Sequence, residues 1–359
     1  MTPSQENTKP SPRRGILAAG NWIVDHVNML DAWPAQDALA NILSQATGNG
    51  GSPCNILKCL ARLGASYPLA TIGLVGNDTD GRAILDDCRA HRIDTTQLKT
   101  TPDAPTSHSD VMTDSRTGRR TFFHHRGANA LLGPEHFDFT TPAAATAKIF
   151  HLGYILLLDR LDAPDPATGK PAMREVFQRA RAAGLHTSLD CVSETARGDR
   201  FQTIVRPVLP EVDTLFINEY EAMRLTNITA TTPDGRLDRA GAMRAIRELL
   251  ASGVRRQVVL HAPDAVCAAC ADGTQHWQPS LDLPPSAIKG AVGAGDAFAA
   301  GVLHGLHEDW PMSESLRLGV CAAAACLGDA TASDGILPLE KTLALAARHG
   351  FRKTEAQAS

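Results

Sequence analysis

Short apolar runs and amphipathic stripes alternate along this chain from about residue 16 to residue 349. ILAAGNWIVD (16–25) is a continuous apolar run, as expected of a strand buried on both faces. NILKCLARLG (55–64) has helical periodicity and ends on a glycine suited to a C-terminal cap. PLATIGLVG (68–76) reads as a strand and DGRAILDDCRAH (80–91) as a helix. From Thr106 to Arg126 the pattern changes to β-prone runs around the polar turn DSRTGRR, which predicts a hairpin. Alternation then resumes. Strands are expected at 148–154, 186–191, 213–218 and 256–262, and helices at 171–184, 200–212, from Glu219 and at 238–251. A β-hairpin is expected through Trp277, and three helices near 295–307, 313–328 and 338–349 close the chain. This order predicts an α/β fold with a mainly parallel sheet between helical layers, in one domain with a small β insertion.

Composition narrows the function classes. The 359 residues carry a formal net charge of −4 with no dominant basic stretch, so nothing points to nucleic acid. No apolar run approaches the ~18 residues of a membrane span. MTPSQENTKPSPRRG lacks the apolar segment of a secretory signal, and residues 1–14 are expected to be a disordered lead-in, with 353–359 a flexible tail. The eight cysteines are scattered, and the single C-x-x-C, Cys267 and Cys270, has no second pair for a zinc ribbon. Scattered apolar-flanked cysteines fit a reducing, cytoplasmic setting.

The densest chemistry lies in GAVGAGDAFAAGVLHGL (290–306). Gly293, Ala294 and Gly295 lead into Asp296, and Phe298, Val302 and Leu306 then recur at four-residue spacing. A glycine turn before a helix N-terminus can cradle an anion, and a carboxylate there can take a proton from a neighbouring hydroxyl. A tight turn with an Asp near the helix cap is the bland alternative. Asp25 closes the first apolar run, and GNGGSPCN (48–55) offers Gly50, Gly51 and Asn55 where a ligand approaches backbone. Asn218 and Glu221 could form a capping box or face a hydrated Mg²⁺ bridging phosphates. HHRGANA (124–130) adds His125, Arg126 and Asn129, either as substrate contacts or as an ordinary loop.

With these motifs in order, the chain resembles the ribokinase-like (PfkB) carbohydrate kinase family over about residues 15–340. GNGGSPCNILKCLARLGASYPLATIGLVGNDTDG matches its first signature, KGAVGAGDAFAAGVLHG its second, and NEYE (218–221) its Asn-x-x-Glu. The resemblance implies a three-layer sandwich over 15–352 with lid segments at about 25–47 and 104–128. It implies ATP-dependent phosphorylation of a sugar-like hydroxyl. Asp296 would be the base and Ala291, Val292, Gly293, Ala294 and Gly295 the anion hole. Asn218, Glu221 and His261 would serve ATP, with Asn218 and Glu221 holding Mg²⁺ through water. Asp25, Gly50, Gly51, Asn55 and Arg126 would bind substrate. A monovalent cation such as K⁺ is a further candidate cofactor, and the lid would also make a homodimer. Nucleic acid and membrane are not implied as partners. The chain departs from the family at Gly290 and Ala291, where Asp-Thr or Asp-Ser is usual. It departs also at LHAPDA (260–265), where Thr-x-Gly-x-x-Gly is usual, and at Ser52 and Pro53, where Gly-Lys or Gly-Ala is usual. A nucleoside kinase and a sugar-binding protein without catalysis are the competing functions. Only 5% of residues are aromatic, with Trp22 and Trp33 the candidate base-stacking rings near the first strand, which leans toward a sugar.

Overall fold

The computed structural model describes residues 13–193, 198–329 and 331–353. The strands are β1 (Ile16–Gly20), β2 (Ile23–Leu30), β3 (Ile42–Gly50), β4 (Leu69–Gly76), β5 (Asp94–Thr101), β6 (Ser107–Asp114), β7 (Arg120–His125), β8 (Ile149–Ile155), β9 (His186–Cys191), β10 (Thr214–Asn218), β11 (Gln257–His261), β12 (Ala265–Cys270) and β13 (Gln275–Pro279). The helices are α1 (Ser52–Leu63), α2 (Thr79–Ala90), α3 (Pro142–Thr146), α4 (Asp159–Asp162), α5 (Met173–Ala182), α6 (Glu219–Thr226), α7 (Arg239–Ala251), α8 (Ala294–His307), α9 (Met312–Leu327) and α10 (Leu339–His349).

Nine strands form one sheet in the order β13-β12-β11-β10-β9-β8-β1-β4-β5. Seven run parallel, and β12 and β13 add an antiparallel edge. Alternate side chains of one strand enter opposite layers. Leu17 and Ala19 of β1 pack into the core that holds α5, α6 and α7, while Ile16 and Ala18 pack under α1, α2, α8 and α9. That two-sided burial explains why these strands read as unbroken apolar runs. The other four strands make a separate sheet, β3-β2-β6-β7, with only the β2–β6 pair parallel. No helix among the described residues is long and apolar enough to cross a membrane.

Several expectations change. The run 16–25 is two strands in two sheets, because the chain turns out of the large sheet at Asn21 and Trp22. Asn129 fixes that turn: its Oδ1 accepts from Trp22 N at 3.2 Å, and its Nδ2 donates to Asn21 Oδ1 at 2.7 Å and Trp22 O at 2.9 Å. The expected helix 200–212 is instead one π turn over Phe201–Val205 and a 3-10 segment over Arg206–Glu211. Pro207 and Pro210 there cannot donate main-chain N–H groups to a regular helix. Two strands escaped the apolar pattern. β5 is a polar edge strand, and β3 is exposed along nearly its whole length, so neither carries a buried stripe. Of the expected lead-in, Arg13 is anchored by donating to Ala147 O at 3.0 Å and to Ala183 O. Residues 1–12 of that lead-in and 354–359 of the expected tail lie outside the described residues.

Trp22 is the keystone of the joint between the sheets. It is fully buried, its indole N–H donates to Ile72 O at 3.0 Å, and its ring fills the space above Gly73. Replacing it with Ala removes a large core side chain and leaves a cavity, so Trp22→Ala should cost about 3–5 kcal/mol. Denaturant unfolding measures this, and a loss below about 1 kcal/mol would contradict the assignment of Trp22 to the core.

Candidate active site

The two sheets face each other across a cleft of about 620 Å³ at the carboxyl ends of the parallel strands. This is where ligands gather in open α/β sheets. Asp25, Gly51, Asn55 and Arg126 line it, together with Asn218, Glu221, His261, Ala291, Val292, Gly293, Gly295 and Asp296. Residues separated by up to 271 positions in the chain thus come together, and nearly all of them had been singled out by their sequence context.

Asp296 sits in the first turn of α8, whose N-cap Gly293 has φ 74°. A Cβ at Gly293 would lie 2.4 Å from Ala332 O, so the turn tolerates only glycine. The Asp296 carboxylate is 2% exposed. Its Oδ2 accepts from Asn55 Nδ2 at 2.8 Å and from Tyr154 Oη at 2.9 Å, while the buried Oδ1 has no protein partner. Burial raises the pKa of this carboxyl, and the hydrogen bonds from Asn55 and Tyr154 oppose the rise.

Asp25 lies in β2, inside the strand of the smaller sheet rather than at the end of the first strand as expected. Burial, and then the nearby Asp296 charge, push its pKa up to about 6. Gly50 does not line the cleft but makes room for Asp25, since a Cβ there would lie 2.4 Å from Asp25 Oδ2. Arg126 lines the cleft while its guanidinium donates to Leu156 O at 3.0 Å and pairs with Asp159 at 2.7 Å. Its two neighbours from the same run go elsewhere. His125 stacks on His108 at 5.0 Å, and Asn129 is fully buried at the joint between the sheets.

Asn218 and Glu221 form the capping box of α6. Asn218 Oδ1 accepts from Glu221 N at 2.9 Å, and Glu221 Oε2 accepts from Asn218 N at 3.0 Å. Capping uses Oε2 of this cleft-lining carboxylate, and its Oε1 accepts from Ser193 Oγ at 3.0 Å. Burial pushes Glu221 up to about 7. His261 ends β11 with its ring against the glycine turn, where a Cβ at Gly295 would lie 3.3 Å from its Cε1. Burial lowers its pKa to about 4, so the imidazole is neutral.

Sequence inspection missed Asp190, Tyr154, Ser109 and His124, all of which line the cleft. Asp190 is the next-to-last residue of β9, so the strand-end logic that singled out Asn218 applied to it as well. Burial, followed by the charges of Asp296 and Glu221, raises its pKa well above the usual carboxylate range. Tyr154 follows a glycine in β8 and adopts φ 56°, a left-handed conformation that no pattern of apolar residues reveals. The expected base-stacking tryptophans are not in the cleft: Trp22 is core and Trp33 is 45% exposed.

Glu221, Asp190 and Asn218 present hard oxygen donors of the kind Mg²⁺ prefers. Among the described residues, no group of three or more His, Cys, Asp or Glu side chains is arranged to hold a metal alone. Mg²⁺ characteristically keeps several waters and takes its remaining ligands from phosphates.

Residues 18–338 match the pfkB family carbohydrate kinase pattern. The chain is 28% identical over 336 residues to a probable fructokinase-7 of Arabidopsis thaliana, covering 90% of this chain and 88% of that one. It is 27% identical over 317 residues to a ribokinase of the same plant, covering 87% and 76%. Among solved structures, ribokinase from Giardia lamblia superposes with a TM-score of 0.76 at 18% identity, covering 94% and 99%. Arabidopsis thaliana ribokinase complexed with ribose and ATP does so with 0.73 at 22%, covering 93% and 98%. The fold is thus ribokinase-like, and the chain belongs to the pfkB family of carbohydrate kinases, phosphotransferases with an alcohol group as acceptor.

Proposed function

We propose that this enzyme transfers the γ-phosphoryl group of ATP to a hydroxyl of a sugar, with Asp296 as the general base. The observation that carries the reading is the unpartnered, buried Oδ1 of Asp296, one helical turn from the glycine turn Gly293–Gly295. With Oδ2 committed to Asn55 and Tyr154, Oδ1 is the lone acceptor left for the substrate hydroxyl proton. The main-chain N–H groups of residues 291–296 and the positive end of α8 would stabilise charge developing on the transferred phosphoryl. Asp25, Gly51 and Asn55 would orient the sugar, with Gly50 making space for Asp25. Asn218, Glu221 and Asp190 would hold Mg²⁺ through water, and the ion would neutralise phosphate charge. His261 would contact the nucleotide phosphates as a neutral donor.

The four-stranded sheet, with strands at 23–30, 42–50, 107–114 and 120–125, supports reading the segments 25–47 and 104–128 as a lid. We read it as a lid, hinged where Asp78 accepts from Thr106 N at 2.7 Å and where Asn129 holds Asn21 and Trp22. Ile42, Leu43 and Phe123 leave apolar surface exposed on this sheet, which supports a homodimer built through it. The unpaired cysteines support a reducing, cytoplasmic setting.

Asp296→Asn should lower kcat by roughly two to four orders of magnitude, the usual worth of a positioned proton acceptor. Steady-state assay with the preferred sugar checks it, and near-normal turnover rules Asp296 out as base. Tyr154→Phe removes a hydrogen bond to the ionised form of Asp296, so the base pKa rises further. Activity depends on the ionised base and is lost as pH falls through its pKa. The acid limb of the kcat profile should therefore move to higher pH, with kcat at neutral pH down by about tenfold. An unmoved profile would confine Tyr154 to packing.

Asp25 must be ionised to accept two sugar hydroxyls, so sugar affinity should fall as pH drops through about 6. Asp25→Asn should raise the sugar KM by an amount worth about 1.5–3 kcal/mol, with the ATP KM little changed. The raised pKa also means that the ionised, buried carboxyl costs stability above the unfolded carboxylate pKa. The ligand-free variant should accordingly be more stable at neutral pH by about 2 kcal/mol. Calorimetric titration and thermal unfolding measure the two effects, and equal sugar affinity would reduce Asp25 to a structural residue.

A further inference from the structure

The cleft contains polar groups on the lid side that the phosphoryl-transfer chemistry does not use. Asp25 of β2 is in register with Ser109 of β6, and Ser109 with His124 of β7. All three line the cleft, so they form one row across three adjacent strands. At the usual spacing between strands the row spans roughly 10 Å, about the length of a small sugar and its hydroxyls. His124 Nδ1 lies 3.0 Å from Ser109 Oγ, while its buried Nε2 has no partner.

The charges around this row are one-sided. Four carboxylates line the cleft: Asp25, Asp190, Glu221 and Asp296. The cationic side chain among the described lining residues is Arg126, already paired with Asp159 and bound to Leu156 O. Burial, and then the charges of Arg126, His108 and His125, lower the His124 pKa to about 4, so at neutral pH the ring adds no positive charge. A neutral imidazole bound to Ser109 through Nδ1 still offers Nε2 as one donor or one acceptor, according to its tautomer. A hydroxyl satisfies either. A phosphate dianion satisfies just the donor and brings like charge toward Asp25.

We infer that the acceptor is a neutral, unphosphorylated polyhydroxy compound, and that His124 with Ser109 reads a hydroxyl beyond those held by Asp25. This rests on the kinase reading of the cleft. It narrows the acceptor to free sugars and makes His124 a specificity-determining residue carried by the lid.

The test pairs each neutral sugar with its phosphate ester: D-fructose with D-fructose 6-phosphate, and D-ribose with D-ribose 5-phosphate and ribose 1-phosphate. Initial rates are measured with MgATP, and binding without ATP by calorimetry. At least one neutral sugar should exceed its esters in kcat/KM by about 100-fold or more. For that sugar, His124→Leu should raise KM by about tenfold, with the effect falling mainly on KM, and His124→Gln should recover part of the loss. A preference for a phosphate ester overturns the inference while leaving the kinase reading intact. A wild-type KM in His124→Leu overturns the role of His124. Absence of transfer to every member of the panel, with no sugar binding, overturns the kinase reading and this inference together.

Discussion

Four carboxylates share one buried cleft, and the rest of the active end of the molecule is organised around keeping them there. Asp296, Asp25, Asp190 and Glu221 each lose water on folding, and each has its pKa raised by burial first. An unpaired charge in that setting is expensive, and three of the four, Asp296, Asp190 and Glu221, are held by hydrogen-bond donors. α1 gives Asn55 to Asp296 and Ser52 to Asp190, β8 gives Tyr154, and the start of α6 gives its own main chain to Glu221. The arrangement stays short of cations among the described residues. Incoming groups that carry positive charge or hydroxyl donors relieve this deficit, which gives ligand binding in the cleft a driving force.

The cleft has a floor and a roof built as separate sheets. The floor is a sheet sealed on both faces, where Phe150 packs edge-on against Phe137, Phe139 and Phe177. The roof is a four-stranded sheet with one face toward the cleft and an outer strand, β3, exposed along nearly its full length. Few side chains join the two. Trp22 anchors the strand that leaves the floor, Asn129 brackets its turn, and Asp78 caps α2 while binding Thr106 at the start of the roof. Asp78 therefore serves a helix cap and the entry to β6 with one carboxylate. Asn49 donates to Asp87 of α2 at 3.0 Å and ties the inner end of β3 to the floor.

Legibility in the sequence followed the physics of burial. Strands covered on both faces were read from their apolar runs, and helices from their periodicity and caps, as at Gly64 and Asn218. β3 and β5 were invisible because an exposed or edge strand carries no buried stripe to recognise. The break between β1 and β2 was hidden because Trp22 continues the apolar run while the backbone changes sheets. In the site, residues beside glycines were legible, since a glycine-rich turn announces backbone approach. Asp190, His124 and Tyr154 sit in otherwise ordinary strands. Tyr154 gains its significance from Asp296, 142 positions away, and His124 from Ser109 and Asp25 on the adjacent strands, pairings that no local pattern encodes.

Of the three departures from the family signature, Ser52 and Pro53 open α1, while those at 290–291 and 260–265 bring Ala291 and His261 to the wall of the cleft. Ala291 lacks the side-chain hydroxyl that the Thr or Ser of the usual Asp-Thr or Asp-Ser would bring. Main-chain donors are unaffected by that exchange, because their aim depends on the left-handed Gly293 and on the start of α8. The lost hydroxyl would have stood near the same turn that His261 now abuts from β11. A neutral imidazole there offers a hydrogen bond without competing with Mg²⁺ for the phosphates, as a cationic side chain would. His261 thus sets a neutral imidazole against the same glycine turn that Gly290 and Ala291 precede without a side-chain hydroxyl.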